Sequence, residues 1–253
     1  MSSFNEKIKN IPVIQFLIVI ILLYVIWYVV NRFLIPVSGN VVYVFLIFYF
    51  IFKLRNDFSD FKSDFFNMFS DISLGYVVLI VVLNVFFSYG MLYLSGFLLD
   101  NFSFVGHIFN LGASSKSLLG GVASVIGIVV ISPISEELIF RGVIYNKLKI
   151  IVPVSFAVVI SSLFFAMLHP YGSIISAFVF ALCMLLIYCK TENITVVIFA
   201  HFLNNLIAES ISHIDSANIL FTDALLVDAV SVMAVISAVI IIFLIHREWN
   251  TFK

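Results

Sequence analysis

The stretch SPISEELIFRG, residues 132–142, places three ionisable side chains within an otherwise apolar part of the chain. These side chains are Glu136, Glu137 and Arg141. The 253 residues are 63% hydrophobic and only 11% charged, and their mean hydropathy is +1.20. A soluble domain of average composition has about 45 to 50% apolar and about 25% charged residues. The composition therefore predicts an integral membrane protein, and charges at membrane depth indicate a function.

Apolar segments long enough to approach or cross a bilayer recur on both sides of this stretch. They lie near residues 13–30, 37–52, 74–98, 118–135, 154–168, 174–188, 194–208 and 225–245. The pattern predicts an all-α, polytopic membrane protein with about eight transmembrane helices. It indicates one integral membrane domain over residues 1–253, so the function is expected among the helices.

The distribution of lysine and arginine predicts the orientation. Eight spans place both termini on one side of the membrane, and most of the basic residues then fall on that side. These are Lys7, Lys9, Lys53, Arg55, Lys62, Arg141, Lys147, Lys149, Lys190, Arg247 and Lys253. Only Arg32 and Lys116 would face the other side. By the positive-inside rule, we expect a cell-membrane protein with cytoplasmic N- and C-termini.

Four polar residues from three predicted helices are expected at a similar membrane depth. We expect the fourth helix to continue to about residue 150, because the next proline is Pro153. With a rise of 1.5 Å per residue, Glu136 then lies about 20 Å from that turn and His169 about 24 Å. On the seventh helix, His201 and Asn205 lie about 15 and about 21 Å from the same surface. The four side chains therefore converge on one layer.

The sixth apolar segment is short, and its length indicates what surrounds the layer of polar side chains. The turn before it, at Pro170, Tyr171 and Gly172, would end below the outer surface. Irregular backbone at that depth is tolerated only where protein or a water-filled cavity covers it. The sequence therefore predicts an intramembrane polar cavity that contains water.

Helical spacing separates the two glutamates. Glu137 and Arg141 are four residues apart with the acid first, which favours an ion pair along one helix face. Glu136 is rotated by about 100° and has no basic partner within its helix. We therefore assign Glu137 and Arg141 to a pair that orients the site, and Glu136 to the reactive role of a general base.

Three short motifs in this region resemble those of a known family. EELIFR at 136–141, FAMLH at 165–169 and HFLNN from residue 201 resemble the EExxxR, FxxxH and HxxxN motifs of the CPBP, or Abi, family. That family is related to the type II CAAX prenyl endopeptidase, an eight-helix intramembrane protease. The resemblance covers about residues 118–208, which we expect to form the catalytic core.

The resemblance implies a mechanism for peptide hydrolysis. Glu136, helped by His169, would activate a water molecule for attack on a peptide carbonyl. His201 and Asn205 would donate hydrogen bonds to the developing oxyanion. The residues that orient the site would be Glu137, Arg141 and Phe165.

Metal dependence is an alternative within the same family. Glu136, His169 and His201 could supply three zinc ligands and leave a fourth position open. However, the chain contains no HExxH motif, and the related enzymes are better understood as glutamate-dependent. We therefore expect a glutamate-type endopeptidase that uses neither a metal nor another cofactor.

The expected substrate is an apolar or lipidated peptide or protein within the membrane, and the net charge of −1 gives no indication of a nucleic-acid partner. The sequence does not indicate an oligomeric state. Bacteriocin self-immunity or regulation by binding, without proteolysis, is one alternative function. A transporter or proton relay is another, but it needs polar residues that reach both surfaces. In the outer half, the main candidates are Asn84 and Ser88.

Overall fold

The computed structural model describes residues 3–101, 121–170 and 173–249. Within these ranges the chain is helical and contains no strand. The prediction of an all-α, polytopic membrane protein is thereby confirmed. The turn expected at Tyr171 and Gly172, and the basic residue Lys116, lie outside the described residues.

The helices follow one another with short connections. They are α1 (Ser3–Lys9), α2 (Val13–Phe33), α3 (Asn40–Leu54), α4 (Phe58–Phe66), α5 (Leu74–Asn101), α6 (Val122–Ile151), α7 (Val154–Met167), α8 (Ile174–Thr191), α9 (Ile194–Ile214), α10 (Ile219–Thr222) and α11 (Ala224–Glu248). A single 3-10 turn, Arg55–Asp57, joins α3 to α4.

Six of these helices are long and apolar enough to cross a membrane: α2, α5, α6, α8, α9 and α11. That number refers to the part of the chain that the structure describes. The other two predicted spans correspond to α3, with 15 residues, and α7, with 14 residues. The chain is thus a multi-pass membrane protein, while a total of eight spans stays a prediction.

Helix α8 lies at the centre of the bundle. Its side chains at Ala181, Met184, Leu185 and Ile187 are completely buried. It packs against α5, α7 and α9, and α5 packs along α11. Helix α2, by contrast, is largely exposed, and its apolar surface suits contact with lipid chains.

Helix α6 carries the charged stretch and is irregular. Two π-helical segments, Gly127–Ile131 and Leu138–Tyr145, flank an ordinary α-helical segment, Ser132–Glu137. A π-helical turn is wider than an α-helical turn, and such turns occur frequently at functional sites. Both glutamates therefore lie at a change of helical geometry.

Helices α1 and α4 pack near the beginning of α9. Asn5 on α1 accepts a hydrogen bond from the backbone N–H of Ile194 at 3.3 Å. The backbone carbonyl of Asp64 on α4 accepts hydrogen bonds from Asn193 at 2.9 Å and from Thr195 at 3.1 Å. These contacts fix the first turn of α9, the helix that carries His201.

Candidate active site

Glu137 and Arg141 form a buried ion pair on α6. Arg141 Nη1 donates to Glu137 Oε1 at 3.0 Å, and both residues are 0% exposed. Arg141 Nη2 also donates to the carbonyl of Ala181 on α8 at 3.1 Å, and its guanidinium carbon lies 4.9 Å from the centre of the Phe165 ring. The ion pair inferred from the spacing is present, and it connects α6 with α7 and α8.

His201 lies between the two glutamates. Its Nδ1 atom is 2.7 Å from Glu137 Oε1, and its Nε2 atom is 3.9 Å from Glu136 Oε2. An ionised carboxylate only accepts hydrogen bonds, so Nδ1 carries the proton and Nε2 is directed towards Glu136. Arg141, Glu137, His201 and Glu136 thus form one continuous chain of polar contacts.

An aromatic cluster supports the two histidines. The Phe165 ring centre lies 4.6 Å from that of His169 and 6.1 Å from that of His201. Phe180 on α8 packs edge-on against His201 at 4.7 Å. His169 Nδ1 also forms a hydrogen bond with the carbonyl of Phe165 at 2.9 Å. His169 is therefore joined to the site through Phe165.

Asn205 connects α9 to the first π-helical segment of α6. Its Nδ2 atom donates to the carbonyl of Ile128 at 2.9 Å. Its Oδ1 atom accepts a hydrogen bond from Asn204 at 3.3 Å. One N–H group of the Asn205 amide is thus used for structure, and the second remains for another acceptor.

Three neighbours of the site were not predicted from the sequence. Ser132 Oγ donates to Glu136 Oε1 from one turn earlier in α6. Tyr43 on α3 lies beside the turn that carries Glu136, since its carbonyl accepts a hydrogen bond from Ser135 Oγ at 3.0 Å. Phe180 contacts His201, as described above. The spacing of four residues between Ser132 and Glu136 could have predicted their contact. Tyr43 and Phe180 lie on other helices, so no spacing in the sequence indicated that they are near the site.

A family comparison covers this same region. Residues 118–207 match a family model described as Type II CAAX prenyl endopeptidase Rce1-like. This segment, from the beginning of α6 into α9, is similar to the Rce1-like family. The family resemblance inferred from the three motifs is thereby confirmed. No curated protein and no solved structure matches the chain.

The Rce1-like domain contains the polar chain and the aromatic cluster on α6, α7, α8 and α9. In general terms, the protein is a membrane endopeptidase of the CAAX-protease type. Tyr43 and the cavity walls on α3 and α4 lie outside the matched residues. Helices before the domain therefore contribute to the surroundings of the site.

An apolar cavity of about 570 Å³ lies among α3, α4, α6 and α9. Nearly all of its wall is aliphatic or aromatic, with Arg55 among the lining residues. Representative lining residues are Ile47, Phe50, Phe61, Leu138, Ile198 and Phe202. Leu138 follows Glu137 in α6, and Phe202 follows His201 in α9. An apolar space therefore borders the helices that carry the polar site.

The three side chains of the zinc alternative do not form a metal-binding group. Among the described residues, no three His, Cys, Asp or Glu side chains come together in a way that could hold a metal ion. The set Glu136, His169 and His201 is not gathered into such a group. The chemistry proposed below therefore contains no metal-dependent step.

Proposed function

We propose that Glu136 activates a water molecule that hydrolyses a peptide bond of a membrane-associated or lipidated substrate. The observation that carries this proposal is the contact of Glu136 Oε2 with His201 Nε2 at 3.9 Å. His201 is in turn held by Glu137, which is bound to Arg141. This series of polar contacts lies within the segment that matches the Rce1-like family model, which supports the same reaction.

The proposed reaction moves one proton. Glu136 takes it from water as the water oxygen bonds to the substrate carbonyl carbon. The tetrahedral intermediate then collapses, the C–N bond breaks, and the amide nitrogen leaves with the proton. His201 Nε2, when protonated, stabilises negative charge on Glu136 or on the oxyanion.

The other site residues have supporting roles in this proposal. Asn205 offers its remaining N–H group to the oxyanion, while its first N–H group holds α6. His169 assists from the far side of Phe165 and binds the substrate or the attacking water. Glu137, Arg141 and Phe165 keep the His201 ring in its orientation. The enzyme is proposed to be of the glutamate type and to need no cofactor.

The substrate is proposed to be an apolar or lipidated peptide or protein that reaches the site from within the membrane. The apolar cavity bordering α6 and α9 supports this class, because it offers a wall of aliphatic and aromatic side chains. The concentration of lysine and arginine on one side of the predicted spans supports a cell-membrane location with both termini in the cytoplasm.

The test compares the wild type with Glu136→Gln in the native host. Peptides from the membrane and secreted fractions are quantified by mass spectrometry, together with the level of the protein itself. We expect processed peptides to disappear in Glu136→Gln while the protein accumulates normally. Glu209→Gln is the matched control, since Glu209 lies two turns after His201 on α9 and pairs with His213.

The opposite result would identify a different function. Unchanged peptides, together with rescue of the deletion phenotype by Glu136→Gln, would show that the protein acts by binding. Self-immunity to a bacteriocin or regulation of a partner would then replace proteolysis.

A further inference from the structure

The Glu136 carboxylate has two oxygens in different surroundings. Oε1 accepts a hydrogen bond from Ser132, one turn earlier on the same helix. Oε2 faces His201 Nε2 at 3.9 Å. The terminal torsion of a glutamate is broad, so a carboxylate without a donor can rotate easily. A donor on one oxygen therefore fixes the plane of the carboxylate and keeps the other oxygen directed at His201.

Tyr43 on α3 lies opposite the turn of α6 that carries Glu136. The backbone carbonyl of Tyr43 also accepts a hydrogen bond from Ser135 Oγ at 3.0 Å, which ties α3 to the turn that carries Glu136. This contact places the backbone of Tyr43 next to the residue that precedes Glu136.

Helices α3 and α6 also approach each other closely at Gly127. A Cβ atom at Gly127 would overlap the side chain of Asn40, so glycine permits this approach.

We propose that Ser132 and Tyr43 are positioning residues that hold Glu136 with Oε1 occupied and Oε2 directed at His201. The inference rests on the proposed function, because it gives Glu136 the role of general base. Ser132 donates to the ionised carboxylate and thereby stabilises the form that accepts a proton from water. Tyr43, from outside the Rce1-like segment, fixes the carboxylate from the second helix.

The test uses variants that remove a single hydroxyl. Ser132→Ala and Tyr43→Phe remove the two proposed donors, and Ser132→Thr retains one. Ser161→Ala is the control for serine, because this buried hydroxyl donates to the carbonyl of Phe140. Tyr49→Phe is the control for tyrosine, because it lies on the same helix as Tyr43.

Two measurements are made on the purified full chain in lipid nanodiscs. Infrared difference spectroscopy follows the carboxyl band that is lost in Glu136→Gln. Membranes from a host strain that lacks the gene serve as the substrate mixture, and new peptide termini are counted by mass spectrometry over a range of pH.

We expect Ser132→Ala and Tyr43→Phe to shift the Glu136 band to higher frequency, because a hydrogen bond to the carboxyl group is lost. Each is expected to lower processing by about tenfold, which corresponds to the loss of one charge-assisted hydrogen bond. The acidic limb of the pH profile should move to higher pH in both variants. Ser132→Thr should restore the wild-type band and rate, and both controls should match the wild type.

An unchanged Glu136 band in both variants would overturn the inference, and so would a shifted band with unchanged processing. Failure of the proposed function gives a different result: Glu136→Gln would then process membranes as the wild type does. In that case the infrared band still decides whether Ser132 and Tyr43 hold the carboxylate.

Discussion

His201 Nδ1 and Arg141 Nη1 both bind the same oxygen of Glu137, at 2.7 and 3.0 Å. Glu137 is therefore shared between a cation on its own helix and an imidazole on α9. This sharing fixes the proton on Nδ1 and directs Nε2 to Glu136. The second glutamate of the motif thus determines how the first one meets its histidine.

Removal of one partner of the buried pair is expected to destabilise the protein. Arg141→Met leaves the Glu137 charge without its cation, and Glu137→Gln leaves the Arg141 charge uncompensated. Each should lower the free energy of unfolding by about 3 to 5 kcal/mol. The double variant Glu137→Leu with Arg141→Met should recover most of this loss but no processing. Reversible unfolding in mixed micelles measures these changes, and a double variant less stable than both single ones would contradict the explanation.

Phe180→Leu is expected to loosen His201 without unfolding the protein. The edge-on contact at 4.7 Å would be lost, and aromatic contacts of this kind contribute about 0.5 to 1.5 kcal/mol. Processing of host membranes should fall by up to about tenfold. Phe178→Leu, on the same helix, is the control and should keep the wild-type rate. Equal rates in all three proteins would exclude a role for the Phe180 ring.

Asn146 is expected to be essential for the second π-helical segment. Its Nδ2 atom donates to the carbonyls of Arg141 and Gly142 at 3.0 and 2.9 Å, and to the Tyr188 hydroxyl at 2.8 Å. Asn146→Ala leaves these buried acceptors without a donor and should cost about 1 to 3 kcal/mol of stability. Asn67→Ala removes an exposed bond to a carbonyl four residues earlier and should have little effect. Thermal unfolding in detergent compares the two variants.

Gly90 allows α5 and α11 to approach each other closely. A Cβ atom at this position would overlap the side chain of Ala234 on α11. Gly90→Ala should therefore destabilise the bundle by about 1 to 3 kcal/mol, as is typical of overpacking. At Gly96, on the same helix, no other helix in the described part of the chain comes within 4 Å of such a Cβ, so Gly96→Ala should be tolerated. Similar midpoints of thermal unfolding for the two variants would show that the contact is not tight.

Much of the fold followed from apolar length. The segments expected near 13–30 and 225–245 are the helices Val13–Phe33 and Ala224–Glu248. Such lengths are set by the bilayer, so they can be read without knowledge of neighbouring helices. The pair Glu137 and Arg141 also followed, because both residues lie on one helix.

The arrangement around the glutamates could not be predicted in the same way. Helical phase assigned Glu136 and Glu137 to different surroundings, whereas His201 contacts both. His201 comes from a helix 64 positions away, and its rotation depends on packing with Phe180. The two π-helical segments also change the phase of α6. Helical rise predicts only the depth of a residue in the membrane. It does not predict the direction in which the His169 side chain faces.

The packing of α1 sets an order for assembly in the membrane. Ile8 is completely buried, and a Cβ atom at Gly142 would lie 2.8 Å from it. Asn5 binds Ile194, which is 189 positions later in the chain. During synthesis, residues 3–9 emerge long before α6 and α9 are inserted. Their final docking is therefore a late step, and it closes over α9 only after the helices of the polar site are in place.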